Sequence, residues 1–353
     1  MSDRQKGDEI LDKKRKIWLA CIVMVIFCGF LVLYMGQKKK EEPITATDFK
    51  LNTVVKITIY DSKDTKTLEG AMELCDKYEK IFSRTDPDSE LYRLNAGTLP
   101  QEDGYYILSD ECAEVIKTGL FYSNLTHGAF DITVEPLSSL WDFTSEEKAV
   151  PSKEALEEAS QHVGYEKVEL DGNRIRFAEE GMALELGGIA KGYIADEIKK
   201  YLVERGVNRA IIDLGGNVLC VGEKKNGKPF HIGIQKPFAD RNETIGTIEV
   251  SDDSVVSSGI YERCFEKDGT FYHHILNPEN GYPYENDLVS VTIISEKSMD
   301  ADALSTSCFA LGLETGLNLA NNYPNTQAIF VTKDGKMHFT ENFEEKIPIT
   351  YVK

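Results

Sequence analysis

Asp302 and Thr306 stand four residues apart in the segment DADALSTSCFALG, with Ser305 beside Thr306. In a helix that spacing puts their oxygens on one face, one turn apart. A carboxylate next to hydroxyls is a hard-oxygen set suited to Mg²⁺, which takes few protein ligands and fills its shell with water and substrate phosphate. The plainer reading is that Asp300 caps this helix and Asp302 complements its positive end. A second group lies in ELGGIAKGYIADEI, residues 185–198, where Gly187, Gly188, Lys191 and Gly192 precede an amphipathic run. Glycines let backbone N–H groups approach an anion, and a helix start adds partial positive charge. Neither common phosphate loop fits, because Lys191 precedes Gly192, Tyr193 follows it, and G-x-G-x-x-G cannot be laid over these glycines. A helix entry with glycines for close packing competes with the anion reading. In FYHHILNPENGYP, strand alternation puts His273 and His274 on opposite faces, so one of them at most faces a given site. A histidine there can take a proton from a hydroxyl near neutral pH, or serve as a half-buried hydrogen-bonding residue.

The elements that must position these residues alternate without a strict βα repeat, which predicts an α+β domain. TVVKITIY reads as a strand, Thr67 to Phe82 as a helix with Leu68, Met72 and Cys75 on one face, and SRTDPDSELYRLNAG as a turn-rich connection. A helix over Asp110 to Asn124 follows, then a short strand FDITV ended by Pro136. Residues 144–160 form a charged, helix-prone surface element. KVELDGNRIRF is a hairpin turning at Asp171-Gly172, and MALEL is the strand feeding the glycine loop. Ile194, Ile198 and Leu202 mark the buried face of the helix after it. Further strands flank Gly215-Gly216 and lie in FHIGIQKP, GTIEVSDDSVVSSG, TFYHHILNP and LVSVTIIS, and a last pair surrounds residues 333–336.

The chain has 353 residues, enough for one large core. Ile17 to Met35 is a run of 19 uncharged residues with basic clusters on both sides, long enough to cross a bilayer. No small-x-small cleavage site follows Met35, and neither Cys21 nor Cys28 sits in a lipoprotein context, which predicts an uncleaved anchor. The expected organisation is a short cytoplasmic N-terminus at 1–16, a transmembrane anchor at 17–35, a tether at 36–48 and a domain at 49–350. After Lys40 there are 31 basic and 55 acidic residues, a net charge of −24. Such a surface repels nucleic acid and makes any polyphosphate ligand need local help from a cation. The five cysteines outside the apolar run are odd in number and scattered, which predicts buried free thiols.

The ordered set SRTDPDSELYRLN, GAFDITVEPLSSLW, ELGGIAKGYIADEI, IIDLGGNVLCVG, SSGIYERCFEKDGTFYHHILNPENGYP and DADALSTSCFALG resembles the FAD:protein FMN transferases, the ApbE-like family, over roughly residues 45–345. The resemblance implies an α+β, mixed-sheet, T-fold-related catalytic domain outside the cytoplasm, held at the cell membrane by the N-terminal helix. It implies Mg²⁺-dependent transfer of FMN from FAD to a threonine or serine hydroxyl of a partner protein, an electron-transfer flavoprotein, with release of AMP. By position, Gly188 resembles a backbone metal ligand, with Asp302, Thr306 and the neighbouring Ser305 as side-chain ligands. Leu51, Ser83, Ala129, Phe130, Asp131, Glu185, Lys191, Ser258, Gly259, His274 and Ile275 match FAD contacts, and His274 is the expected base. Glu185 stands where aspartate is usual, Asn277 replaces an aspartate, Asn280 a threonine, Leu51 a methionine, and Ile260 an acid. A hydrolase giving free FMN and AMP would share these metal and FAD contacts, whereas a flavin binder without catalysis is expected to lose the Asp302/Thr306 pair or His274, and all three are present.

Overall fold

In the computed structural model the described residues are 42–353 except 142, 144–147, 241 and 353, together with Trp18, Leu19, Ile22 and Met24. The expected cytoplasmic N-terminus and all but those four residues of the expected anchor lie outside them. Among the described residues no helix is long and apolar enough to cross a membrane. The chain divides into two compact units, Met1–Glu42 and Pro43–Lys353.

The larger unit is built on an eight-stranded sheet. In spatial order its strands are Ile44–Lys50, Thr53–Ile59, Arg209–Leu214, Asn217–Gly222, Ser254–Gly259, Leu288–Ser295, Thr326–Thr332 and Met337–Phe339. Every pairing in it is antiparallel, so the expected mixed sheet is corrected to an antiparallel one. The α+β class stands. The physical reason is visible in the loops: Leu51-Asn52 and Gly215-Gly216 are two-residue turns at positive φ, and such turns join antiparallel neighbours only. Gly215 has no room for a side chain, since a Cβ there would fall 2.0 Å from Thr53 Oγ1.

LVSVTIIS and TQAIFVT are buried at every position, as central strands covered on both faces must be. Helices Thr65–Phe82, Ala190–Glu204 and Ser298–Asn322 pack on this sheet. Ile194, Ile198 and Leu202 are all buried in the main core, as their spacing predicts. A three-stranded sheet of Phe230–Gln235, Thr244–Val250 and Ile349–Tyr351 adds Phe230, Ile232, Ile234 and Ile248 to the same core. Cys75, Cys112, Cys220 and Cys308 are free and buried, and Cys264 is half-buried.

Four sequence readings change. Residues 44–50 form the first strand, so the tether ends before Ile44. SRTDPDSELYRLNAG is not all turn: Ser89 caps a helix over Glu90–Asn95. FDITV is no strand, because the Asp131 carboxylate accepts from the Thr133 N–H and hydroxyl and closes a local turn. MALEL pairs with no strand. The Asn95 carboxamide stands in for one, donating to Leu184 O at 2.9 Å and accepting from Leu184 N at 2.8 Å.

Candidate active site

Two of these helices meet at their N-terminal turns. Helix Ala190–Glu204 follows the glycine loop, and helix Ser298–Asn322 carries Asp302, Ser305 and Thr306. Gly192 makes the meeting possible, since a Cβ there would lie 2.3 Å from Ser298 O and 2.5 Å from Met299 Cα. The Gly192 N–H donates to Asp302 Oδ2 at 2.9 Å, and Lys191 Nζ lies 3.7 Å from Asp302 Oδ1 and donates to Gly187 O at 3.2 Å. The Asp302 side chain is 5% exposed, and a buried carboxylate is stabilised by a cation beside it.

Thr306 belongs to a chain of hydroxyls. Ser305 donates to Asp302 O at 2.9 Å, Ser258 Oγ lies 2.7 Å from Ser305 Oγ, and Thr306 Oγ1 lies 3.0 Å from Ser258 Oγ. With the Ser305 proton used on the carbonyl, Ser258 donates to Ser305 and Thr306 to Ser258, which leaves the Thr306 lone pairs free. Ser305, expected as a ligand, is fully buried and backs this chain instead of presenting an oxygen. A Cβ on Gly188 would fall 3.5 Å from Thr306 Oγ1 and 3.1 Å from Phe130 Cε2, so the glycine loop, Phe130 and Thr306 converge. Asp302 Oδ1, Thr306 Oγ1 and the loop backbone at Gly188 are hard oxygens, and among the described residues no group of three or more His, Cys, Asp or Glu is placed to hold a metal. Such a donor set fits Mg²⁺, which keeps water and substrate oxygens, and not a closed transition-metal site.

The two histidines diverge where the strand Thr270–His273 ends. His273 is 5% exposed; its Nδ1 accepts from Ile275 N at 3.3 Å, so the proton sits on Nε2, which donates to Tyr284 O at 3.1 Å. Burial pushes it down to about 4. His274 donates its backbone N–H to Arg263 O at 3.1 Å, while its Nδ1 is buried with no partner among the described residues. Burial, then the charges of Arg263, His273 and Lys191, pushes His274 down to about 3. It is therefore a neutral imidazole within the field of the loop lysine.

Glu185 extends from the Asn95-clamped segment, with its own N–H donating to Ile132 O at 2.8 Å. Its carboxylate accepts from Ser138 Oγ and lies 3.4 Å from Arg84 Nε, whose Nη1 lies 3.5 Å from Glu135 Oε1. Burial raises Glu135, and Arg84 opposes that. Asp131 is 7% exposed and its second oxygen accepts from Tyr165 N at 3.0 Å, so both carboxylate oxygens are used inside the fold. Tyr284 ties two predicted segments together: its N–H donates to Ile275 O at 3.0 Å and its hydroxyl to Ala129 O at 2.9 Å. Ser83 caps the C-terminus of helix Thr65–Phe82 and accepts from Asp86 N at 3.1 Å. Leu51 occupies the first hairpin turn and packs on the main core. Gly259 lies under the Tyr261 ring, whose Cζ a Cβ would meet at 2.7 Å. Asn277 accepts from Glu279 N at 3.0 Å and Asn280 from Tyr282 N at 2.9 Å, so both departures serve the turn.

Arg84, Asn95, Asp196 and Tyr284 escaped the sequence reading, and the first three lie inside motifs it quoted. Asp300, read as a cap, accepts instead from the Tyr122 hydroxyl at 2.8 Å.

Comparison with known proteins places this geometry. The family model described as the ApbE family matches residues 51–330. The chain is 30% identical to the FAD:protein FMN transferase of Treponema pallidum, with 94% of this chain and 96% of that one covered. It is 36% identical to one from Klebsiella pneumoniae, covering 77% and 84%. Among solved structures it is similar to the ApbE protein of Thermotoga maritima, with a TM-score of 0.77, 33% identity, and 86% and 99% covered. The flavin transferase ApbE of Vibrio cholerae gives 0.77 at 27% identity, with the same coverage.

Proposed function

The chain belongs to the ApbE family and is a transferase, and from that membership and its site we propose that it moves FMN from FAD to a threonine or serine hydroxyl of an extracytoplasmic flavoprotein, with Mg²⁺ as the required cation. The carrying observation is the convergence of the glycine loop, Lys191 and the Asp302–Thr306 face on one point.

The reaction is a phosphoryl-centre substitution. The acceptor oxygen bonds to the FMN-side phosphorus, the phosphoanhydride bond to the AMP half breaks, and AMP leaves with the electron pair. Asp302, Thr306 and the Gly188 backbone would hold Mg²⁺, which supplies charge neutralisation at the diphosphate. Lys191 gives a second positive charge from the loop, and the start of helix Ala190–Glu204 a third, partial one. The neutral His274 imidazole takes the acceptor proton; a bound anionic diphosphate nearby would raise its basicity from this depressed value. Arg84 and Ser138 hold the Glu185 carboxylate against the loop at Gly187.

The protein is anchored in the cell membrane by residues 17–35, with the catalytic domain outside the cytoplasm. The support is the uncharged run itself, together with the helical, solvent-exposed state of Trp18, Leu19, Ile22 and Met24.

Incubation with FAD, Mg²⁺ and purified flavoprotein domains, read by intact mass, tests the activity. The expected result is one domain gaining the mass of an FMN phosphoester while AMP appears. Free FMN and AMP forming at one rate with or without any acceptor would replace the transferase by a hydrolase.

A further inference from the structure

Neither helix start at the site has a cap of its own. Ile189 and Lys297 occupy the two N-cap positions, and neither side chain bonds the helix it precedes. Each helix takes a carboxylate from the other. Asp302, on the second helix, accepts from the Gly192 N–H of the first. Asp196, on the first helix, accepts from the second with both oxygens, from Ser298 N at 2.9 Å on Oδ1 and from Met299 N at 2.9 Å on Oδ2. The two carboxylates are reciprocal caps.

We propose that Asp196 is a positioning residue for the metal ligand Asp302: by fixing the first turn of helix Ser298–Asn322, it sets the height and direction from which Asp302 meets the cation. Asp302 sits one turn beyond Ser298 and Met299, so a tilt of that first turn moves its carboxylate directly. A serine or threonine cap offers one oxygen, whereas a carboxylate bonds two adjacent N–H groups and fixes orientation as well as position. Burial pushes Asp196 up to about 6 against the two N–H groups and Lys199. A charge kept there at a desolvation cost matches a demand for geometry more than for stability alone. Ser298 is held besides by Asn217 Oδ1 at 2.7 Å and by the Ser254 hydroxyl at 2.8 Å, which keeps the helix seated when Asp196 is altered.

The inference rests on Asp302 being a metal ligand. Mn²⁺ serves as the probe, its affinity for the full chain read by electron paramagnetic resonance without FAD, next to the Mg²⁺ dependence of AMP release. Asp196→Asn is compared with Asp64→Asn, a carboxylate cap at the N-terminus of helix Thr65–Phe82 that bonds neither of the two helix starts at the site. Asp196→Asn should weaken Mn²⁺ binding by about tenfold or more, the scale of losing a group that orients a ligand. Its turnover should recover at saturating Mg²⁺, and Asp64→Asn should leave affinity within about twofold of wild type. Equal affinities for Asp196→Asn and wild type would overturn the proposal. If Asp196→Asn does not fold, Asp196→Glu carries the test, with an expected loss of about threefold or more, and wild-type affinity again overturning it. Asp302→Ala separates the premise: Mn²⁺ bound equally by it and by wild type defeats the metal reading itself, whatever Asp196 does.

Discussion

The ring of His273 is hydrogen-bonded at both nitrogens, to Ile275 N and Tyr284 O, whereas the adjacent His274 keeps Nδ1 buried without a partner among the described residues. The pair thus divides into a ring used at both nitrogens inside the fold and a ring with one nitrogen left over. His274→Ala should lower FMN transfer by roughly 10²- to 10⁴-fold with FAD affinity nearly unchanged. His273→Ala should keep its transfer rate per folded molecule while losing about 1–3 kcal/mol of stability, from groups left unpaired in the interior. Rates and denaturant midpoints of both variants check this, and equal transfer by His274→Ala and wild type would move the search for the base to the carboxylates.

Both histidines are depressed in the fold, to about 4 and about 3. Between those values and the ordinary 6.5 or so of an unfolded chain, the unfolded state binds more protons, so stability rises with pH across that window and is fully present above it. Asp196, raised to about 6, works oppositely: between about 4 and 6 the folded state holds the proton and stability falls as pH rises. His273→Asn should therefore flatten the gain in unfolding free energy, read from urea titrations between pH 4.5 and 7, by ~3 kcal/mol at most. An unchanged slope would contradict the assignment of a buried neutral ring.

Asp302→Ala should abolish transfer at ordinary Mg²⁺ and remove Mn²⁺ binding, because an acidic protein has little else with which to neutralise a diphosphate. Near-normal turnover of this variant with the metal chelated would refute the role.

The two glycines of the loop should respond differently. Gly192→Ala drives a methyl into the Ser298 backbone at 2.3 Å and should separate the helix starts, costing about 1–3 kcal/mol or more. Gly188→Ala meets only the edge of the Phe130 ring at 3.1 Å and Thr306 Oγ1 at 3.5 Å, so it should fold normally and lose metal affinity. Calorimetric melting with Mn²⁺ titration distinguishes them, and a reversed order would mean the helix contact is not what needs Gly192.

In a bacterial host the full chain should fractionate with membranes and keep its N-terminus, with residues 41–353 open to external protease. Recovery of a protein beginning soon after Met35, or lipid on Cys21 or Cys28, would show a different use of the apolar run.

The sequence by itself determined the α+β class, the buried face of helix Ala190–Glu204, the free buried cysteines and, through six ordered motifs, the family. These are properties of local period and residue type, which survive without knowledge of neighbours. The strand readings of FDITV and MALEL failed because side chains far along or just beside the chain, Asn95 and Asp131, supplied the partners that strands would have supplied. The exchange of Asp196 and Asp302 between two helix starts was equally hidden. Asp196 reads locally as an ordinary helical acid and Asp302 as a candidate cation ligand, and only the close approach permitted at Gly192 brings each carboxylate onto the unsatisfied N–H groups of the other's helix. Which oxygens of a motif face a ligand, and which are used inside the fold, is decided by three-dimensional hydrogen-bond partners, and those belong to the tertiary structure alone.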